Sequence, residues 1–357
     1  MFVAFRYVNR ELIAVFLVTL TIVLVVALGG RFIGYLQDAA LGKYAAESLF
    51  LLLWFRIPEF MQLALPFSLF VGLLLTFGRL YADQEAYVLA SAGVGPVRFL
   101  TYSSFVVFVV FVSVAALSLK VTPDSNRDFY YLVFEERVNR EFEGMTPGQF
   151  HTFDGGKRVS YTEAVSENHQ QLEGVFMAEQ NPDKPSVTIW AESGSQYFDE
   201  DTGSRFLLLE SGSRYEGTPG EANYRIVEFE TLGQRLAVRR VATEVRAPRA
   251  LPTSELFNST DVQEQAELHW RIAVPLFTLF GALMAVGLSR VKPREGRFAR
   301  LTPGVMLLVM YYLGLVLNLT AIKNHIIPAA FGLWGVHLVF AVFGVWLMSQ
   351  LLRPADA

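Results

Sequence analysis

The sequence predicts a helical membrane protein with six transmembrane helices, three before and three after one inserted all-β domain. Three observations carry that prediction. Six long stretches contain no Asp, Glu, Lys or Arg; one polar segment separates the third from the fourth; and that segment alternates apolar and polar residues between turn signals. The charge-free stretches are Leu12–Gly30, Phe60–Gly78, Phe99–Leu119, Ile272–Ser289, Leu301–Ile322 and Ile326–Gln350. Each is long enough to cross a hydrocarbon core about 30 Å thick as a helix. The expected domains are 1–119 (helices 1–3), 120–269 (the β domain with flanking helices) and 270–357 (helices 4–6).

The first stretch follows Arg6 and Arg10 and resembles a secretory signal, with Ala27-Leu28-Gly29 as a weak cleavage site. Its uninterrupted length favours a retained helix. That helix is expected to end near Gly29-Gly30 and to pass into the polar stretch Arg31–Glu47. Pro58 and Pro66 predict a kinked or broken start to helix 2. Between helices 2 and 3, Leu80, Tyr81, Tyr87, Val88 and Leu89 recur at helical spacing. They predict a short amphipathic helix near 80–92 at the membrane surface, ended by Gly93-Val94-Gly95-Pro96.

The polar segment opens with a predicted helix over Ser125–Glu143 and then turns to strands. Gln149–Phe153 and Lys157–Tyr161 flank the hairpin signal Asp154-Gly155-Gly156. Val187, Ile189 and Ala191 alternate with polar residues, as do Val227 and Phe229; Phe206–Leu209 reads as a strand buried on both faces. Turn clusters at Asn181-Pro182-Asp183, Asp199–Gly203 and Gly217–Gly220 suggest an antiparallel sandwich or jelly roll. Arg246–Pro252 reads as a linker, and Ser254–Glu267 as a helical return to the membrane.

Charge divides with the architecture. Lys120–His269 holds 15 basic and 26 acidic residues, a balance of −11, and the remainder holds 15 and 8, a balance of +7. One set of short segments carries ten basic residues, five of them between Arg290 and Arg300; the other carries four. The positive-inside rule then places both termini in the cytoplasm and the acidic domain outside.

The chemistry is sparse. With no cysteine, disulfides and thiolate chemistry are excluded. There is no Walker A motif, nucleophile elbow or metal-spaced His/acid cluster. The charge-free spans lack the carboxylates on which ion-coupled carriers depend, so energy for any transport is expected from another molecule. His337 reads as a packed or hydrogen-bonded ring, Arg56 with Glu59 as a surface ion pair, Asp83 and Glu85 as a solvated face, and Arg31 as a flanking cation or a phosphate contact. Two competing classes are a permease that transmits force to an outer enzyme or chaperone, and a sensor with an outer ligand domain. The first calls for longer helices leading out of the bilayer, and the second for a cytoplasmic signalling domain.

Several separated segments bear a family likeness. They are Arg6-Tyr7, Ile57-Pro58-Glu59-Phe60, Gly78-Arg79-Leu80-Tyr81-Ala82-Asp83-Gln84-Glu85, Ala266-Glu267-Leu268-His269-Trp270-Arg271 and Pro293-Arg294-Glu295-Gly296-Arg297. Together with the layout they resemble the LptF/LptG permeases of the lipopolysaccharide exporter, and among these the F subunit. The resemblance implies a non-enzymatic subunit of an ABC exporter in a Gram-negative inner membrane. Its central domain would be a periplasmic jelly roll. Its partners would be an LptG-like permease, an LptB-like ATPase dimer and an LptC-like single-helix protein with its own jelly roll. Lipopolysaccharide would be the cargo, ATP and Mg²⁺ would act at the ATPase, and this chain would hold no cofactor, metal or nucleic acid. Asp83, Glu85 and Tyr87 fall on the family's coupling helix, which meets the ATPase. Arg31 falls near residues that meet lipid phosphates, and Leu63, Phe67 and Leu315 near residues that line the lipid cavity.

Overall fold

The computed structural model describes residues 2–40, 44–143, 147–153, 157–166, 171–181, 184–199, 204–218, 224–236, 247–291 and 298–352. The chain divides into a helical unit (Met1–Gln37, Glu47–Tyr130, Arg246–Ala357) and a second unit (Asp38–Ala46, Tyr131–Val245).

The helical unit contains α1 (Phe2–Ala40), α2 (Leu49–Ala82), α3 (Glu85–Ser91) and α4 (Pro96–Ala116). A π-helical turn at Leu117–Val121 joins α4 to α5 (Thr122–Glu143). After the β strands come α6 (Val262–Leu288), α7 (Leu301–Lys323) and α8 (Trp334–Leu351). Among the described residues, six helices are long and apolar enough to cross a membrane. α2 and α6 form the buried middle. Leu69, Phe70, Leu73 and Phe77 of α2 pack in one core with Ala282, Met284 and Ala285 of α6 and Leu308 and Tyr311 of α7.

Several boundaries differ from expectation. α1 runs ten residues past Gly29-Gly30; two glycines cost about 2 kcal/mol in helix propensity, little against an unbroken backbone ladder in an apolar medium. α2 does not break at Pro58 or Pro66. The surface helix is shorter than 80–92 because Leu80–Ala82 belong to α2 and Gln84 takes a left-handed conformation (φ 61°) before α3 starts. The sixth helix begins at Trp334, since Pro328 and Gly332 bound only a 3-10 turn in front of it. α6 starts earlier than its charge-free run, with the Asp261 carboxylate accepting from the Gln263 N–H at 2.7 Å as an N-cap.

The second unit is built on one antiparallel sheet. Its strands are β1 (Phe150–Phe153), β2 (Arg158–Tyr161), β3 (Ala164–Val165), β4 (Gln171–Asn181), β5 (Lys184–Asp199), β6 (Ser204–Gly217) and β7 (Arg225–Leu236). They run in the order β1-β2-β4-β5-β6-β7, with β3 also paired to β4. The expected turns at 154–156, 182–183, 200–203 and 219–220 lie outside the described residues, as do 292–297 of the basic loop.

One face of the sheet buries Leu172, Val175, Met177, Ile189, Ala191, Leu207 and Leu209. The Phe206–Leu209 run was expected to be buried on both faces; instead only Leu207 and Leu209 are sealed, while Phe206 and Leu208 are partly covered. A fold line crosses the strands. Glu173↔Ser193 is followed by Val175↔Ala191, and Ala191↔Gly212 by Ser193↔Glu210, so both ladders skip one pair without a change of register. The skipped positions Gly174 (φ +58°) and Ser211 (φ +52°) are left-handed. Alternation resets there, so Leu172 and Val175, three residues apart, both face inward.

Candidate functional site

Three features of the helical unit bear on function. The first is an apolar recess of about 320 Å³, at the lower end of the range for ligand pockets. α1 contributes Val23 and Ala27, and α2 contributes Phe60, Leu63 and Phe67. Phe277 of α6 with Leu308 and Tyr312 of α7 complete it. Period-3.6 spacing puts Phe60, Leu63 and Phe67 on one face of α2. Of the residues expected to line a lipid cavity, Leu63 and Phe67 therefore meet. Leu315 does not join them; it is 1 % exposed and packs into the helical core. Arg31 is exposed on α1, with its Nε donating to the Tyr35 hydroxyl at 3.4 Å and its guanidinium 5.2 Å from that ring.

The second feature is a polar cavity of about 200 Å³ that shares Leu63 and Tyr312 with the recess. Glu59, Glu267, Arg249 and Lys323 contribute charge to its lining. At its wall, Arg271 is 1 % exposed and spends every N–H it has. Nε donates to Glu267 Oε1 at 3.1 Å; Nη1 to the Leu251 carbonyl oxygen at 2.9 Å and Thr253 Oγ1 at 2.8 Å; and Nη2 to the Pro248 and Arg249 carbonyl oxygens at 3.0 and 3.4 Å. Burying a guanidinium is costly unless its N–H groups find partners, and here they do. Arg56 is likewise buried rather than at the surface. It donates to Glu59 Oε2 at 2.6 Å and Asn126 Oδ1 at 3.2 Å, and lies 3.9 Å over the Phe129 ring. His337 is the hydrogen-bonded ring expected, with Nδ1 2.5 Å from the Tyr311 hydroxyl.

The third feature gathers Asp83 and Glu85 around Arg79. Arg79 Nη1 lies 3.9 Å from Asp83 Oδ2 and Nε 3.2 Å from Glu11 Oε1. Its Nη2 donates to the Tyr7 hydroxyl at 2.7 Å, and that hydroxyl donates to Glu85 Oε2 at 2.8 Å. Tyr87 stands apart from the cluster, edge-on to Tyr81 at 6.0 Å and 39 % exposed. Sequence reasoning missed Tyr7, Glu11 and Arg79 here, because nothing local links residues 68 to 78 positions apart. It also missed the Glu267–Arg271 pair, although charges four apart at a helix start are a readable signal. Among the described residues no group of three or more His, Asp or Glu could hold a metal ion.

Comparison with known proteins fits these features to a family. The model for the lipopolysaccharide export system permease LptF/LptG matches residues 6–350. The chain is 30 % identical over 347 residues to the lipopolysaccharide export system permease protein LptF of Escherichia coli K12, covering 96 % of this chain and 93 % of the relative. The LptF of Shigella flexneri matches at the same identity and coverage. With six apolar helices as well, the chain is a multi-pass membrane protein and a transport subunit rather than an ATPase, and it belongs to the LptF/LptG family of lipopolysaccharide export permeases.

Proposed function

We propose that this chain is the F-type permease of an ABC transporter that extracts lipopolysaccharide from the inner membrane and hands it to a periplasmic bridge toward the outer membrane. An LptG-like permease completes the membrane pair, an LptB-like ATPase dimer hydrolyses ATP with Mg²⁺, and an LptC-like protein joins at the outer side. This chain binds no cofactor itself. Its termini lie in the cytoplasm and its β unit in the periplasm, as the loop basicity supports.

The observation that carries this reading is the apolar recess bounded by α1, α2, α6 and α7 in a chain of this family. Withdrawing acyl chains from a bilayer costs about 0.8 kcal/mol for each CH₂ exposed to water. A recess of apolar side chains lowers that barrier by receiving methylenes before they meet water. In this proposal Leu63 and Phe67 touch acyl chains, Arg31 meets a phosphate by a charge-assisted hydrogen bond, and Leu315 packs behind them. Asp83, Glu85 and Tyr87 present α3 to the ATPase. The sheet curls as a jelly roll. Two observations support the curl: the fold line through Gly174 and Ser211, and Gln234 of β7 lining one cavity with Arg158 of β2 and Met177 of β4.

Purification in mild detergent with the products of neighbouring genes, followed by lipid mass spectrometry, tests the proposal. An ATPase and lipopolysaccharide should accompany the chain. A preparation holding neither, or nucleotide hydrolysis by the isolated chain, overturns it.

A further inference from the structure

α1 meets the rest of its unit at few places. Val8, Leu12 and Phe16, one helical turn apart, are buried. Asn9 Nδ2 donates to the Tyr102 carbonyl oxygen of α4 at 2.9 Å. A close crossing lies at Phe16, where a Cβ built on Gly72 of α2 would stand 3.3 Å from the Phe16 Cα and Cβ. Only a glycine lets the two helices approach this closely without displacement. Beyond the crossing, Leu17, Val18, Ile22, Val25 and Val26 are exposed, and Val23 and Ala27 border the apolar recess. The next buried side chain is Tyr35, whose ring faces Phe129 at 6.4 Å.

On the other side of the crossing, the Tyr7 hydroxyl stands between Arg79 Nη2 and Glu85 Oε2, so one phenol joins α1 to the first residue of α3. We propose that this bridge makes α1 a lever: a displacement of α3 passes through Glu85 to Tyr7, turns about the Phe16–Gly72 crossing, and moves the Val23–Ala27 wall of the recess. The inference rests on the transport reading above and names how one part of it would work. Tyr7 acts as a positioning residue and touches no lipid.

The proportions favour transmission. α1 contains no proline, and at 1.5 Å per residue Tyr7 lies about 14 Å from the crossing, with the recess wall about 10 to 17 Å beyond it. A displacement at Tyr7 therefore reaches the wall in the opposite direction. Slides and tilts of packed helices at such crossings are a common form of conformational change. Asn9 does not lock the short arm, because its Nδ2 also donates to the Phe5 carbonyl oxygen within α1 at 2.9 Å and keeps a partner if the Tyr102 contact lengthens. Farther along, the Phe32 and Tyr35 rings meet Phe50 and Phe129 at 5.9 and 6.4 Å and hold the far end, so the stretch between Leu20 and Phe32, which includes the recess wall, is the part that bows.

The chain has no cysteine, so labels can be placed at will. Spin labels at Val26→Cys and Met310→Cys, both exposed sites on α1 and α7, report the separation of the two helices. The measurement uses the complex purified with its ATPase, nucleotide-free and trapped with ADP and vanadate. The distance should change between the two conditions. Tyr7→Phe, which keeps the ring and removes the hydroxyl, should lose at least half of that change while the ATPase stays bound. A full change in Tyr7→Phe overturns the lever, even if that variant melts earlier, and so does an unchanged distance in the parent with the ATPase trapped. A preparation without any ATPase overturns the transport reading and the lever with it.

Discussion

Glu267 and Arg271 lie one turn apart on α6 and form a 3.1 Å ion pair whose side chains are 8 % and 2 % exposed. Removing one member of such a pair leaves the other charged, buried and unpaired, which costs about 3–5 kcal/mol. Arg271→Met should therefore lower the melting temperature of the detergent-solubilised protein sharply. The loss should exceed that from Glu267→Gln, because the arginine also satisfies the carbonyl oxygens of Pro248, Arg249 and Leu251. Equal melting of Arg271→Met and the parent would show that the node carries no stability.

Glu85 accepts from Tyr7 and opens α3. In the proposed coupling role Glu85 presents its carboxylate to a basic group of the ATPase, and Glu85→Lys turns that charge-assisted hydrogen bond into repulsion. A charged hydrogen bond contributes about 1.5–3 kcal/mol, so recovery of the ATPase in a pull-down should fall about tenfold or more. Normal recovery together with normal growth would remove Glu85 from the coupling role.

What could be read from the sequence follows the range of the interaction. The six spans were legible because each is a local run without charge, and Leu63 and Phe67 shared a face because their spacing is helical. The shape of the recess was not legible, since it depends on where α1 crosses α2 at Phe16 and Gly72. Leu315 illustrates the limit: its period places it on α7, but only the packing of α2 and α6 decides whether it faces a cavity or the core. The other partners of Arg271 lie 18 to 23 residues away, where the chain makes a 3-10 turn and one short helical turn, and Tyr7 lies 78 residues from Glu85. No pattern within a window of one helix could join them. The Gln84 left-handed turn that shortens α3 was equally hidden, because glutamine carries no turn signal.

Arg31→Glu should reduce lipid-stimulated ATP turnover severalfold without unfolding the chain. The fold should tolerate it because Arg31 is exposed and its bond to Tyr35 is a long 3.4 Å; exposed substitutions of this kind change stability by about 0.5 kcal/mol or less. The functional loss should come from setting a carboxylate against a phosphate. Turnover equal to the parent would remove the phosphate contact.

Ala27 borders the recess from α1. Ala27→Phe fills part of that volume, and in an open recess the larger ring adds apolar contact rather than strain. The variant should melt no earlier than the parent yet retain several-fold less lipopolysaccharide per complex by mass spectrometry. Retention at the parent's level would show that acyl chains do not occupy this recess.

Leu315 and Phe67 separate packing from lipid contact. Leu315 is 1 % exposed among core side chains, so Leu315→Ala leaves a cavity and should cost about 2–5 kcal/mol. Phe67 is only half-buried and borders the recess, so Phe67→Ala widens an existing opening and should cost less. The order should reverse for cargo. In the complex at a temperature where both variants are folded, photo-crosslinking to lipopolysaccharide should fall for Phe67→Ala and hold for Leu315→Ala. If Leu315→Ala lost crosslinking while melting with the parent, Leu315 would face lipid in the working transporter, and the packing seen for α7 would describe a different state.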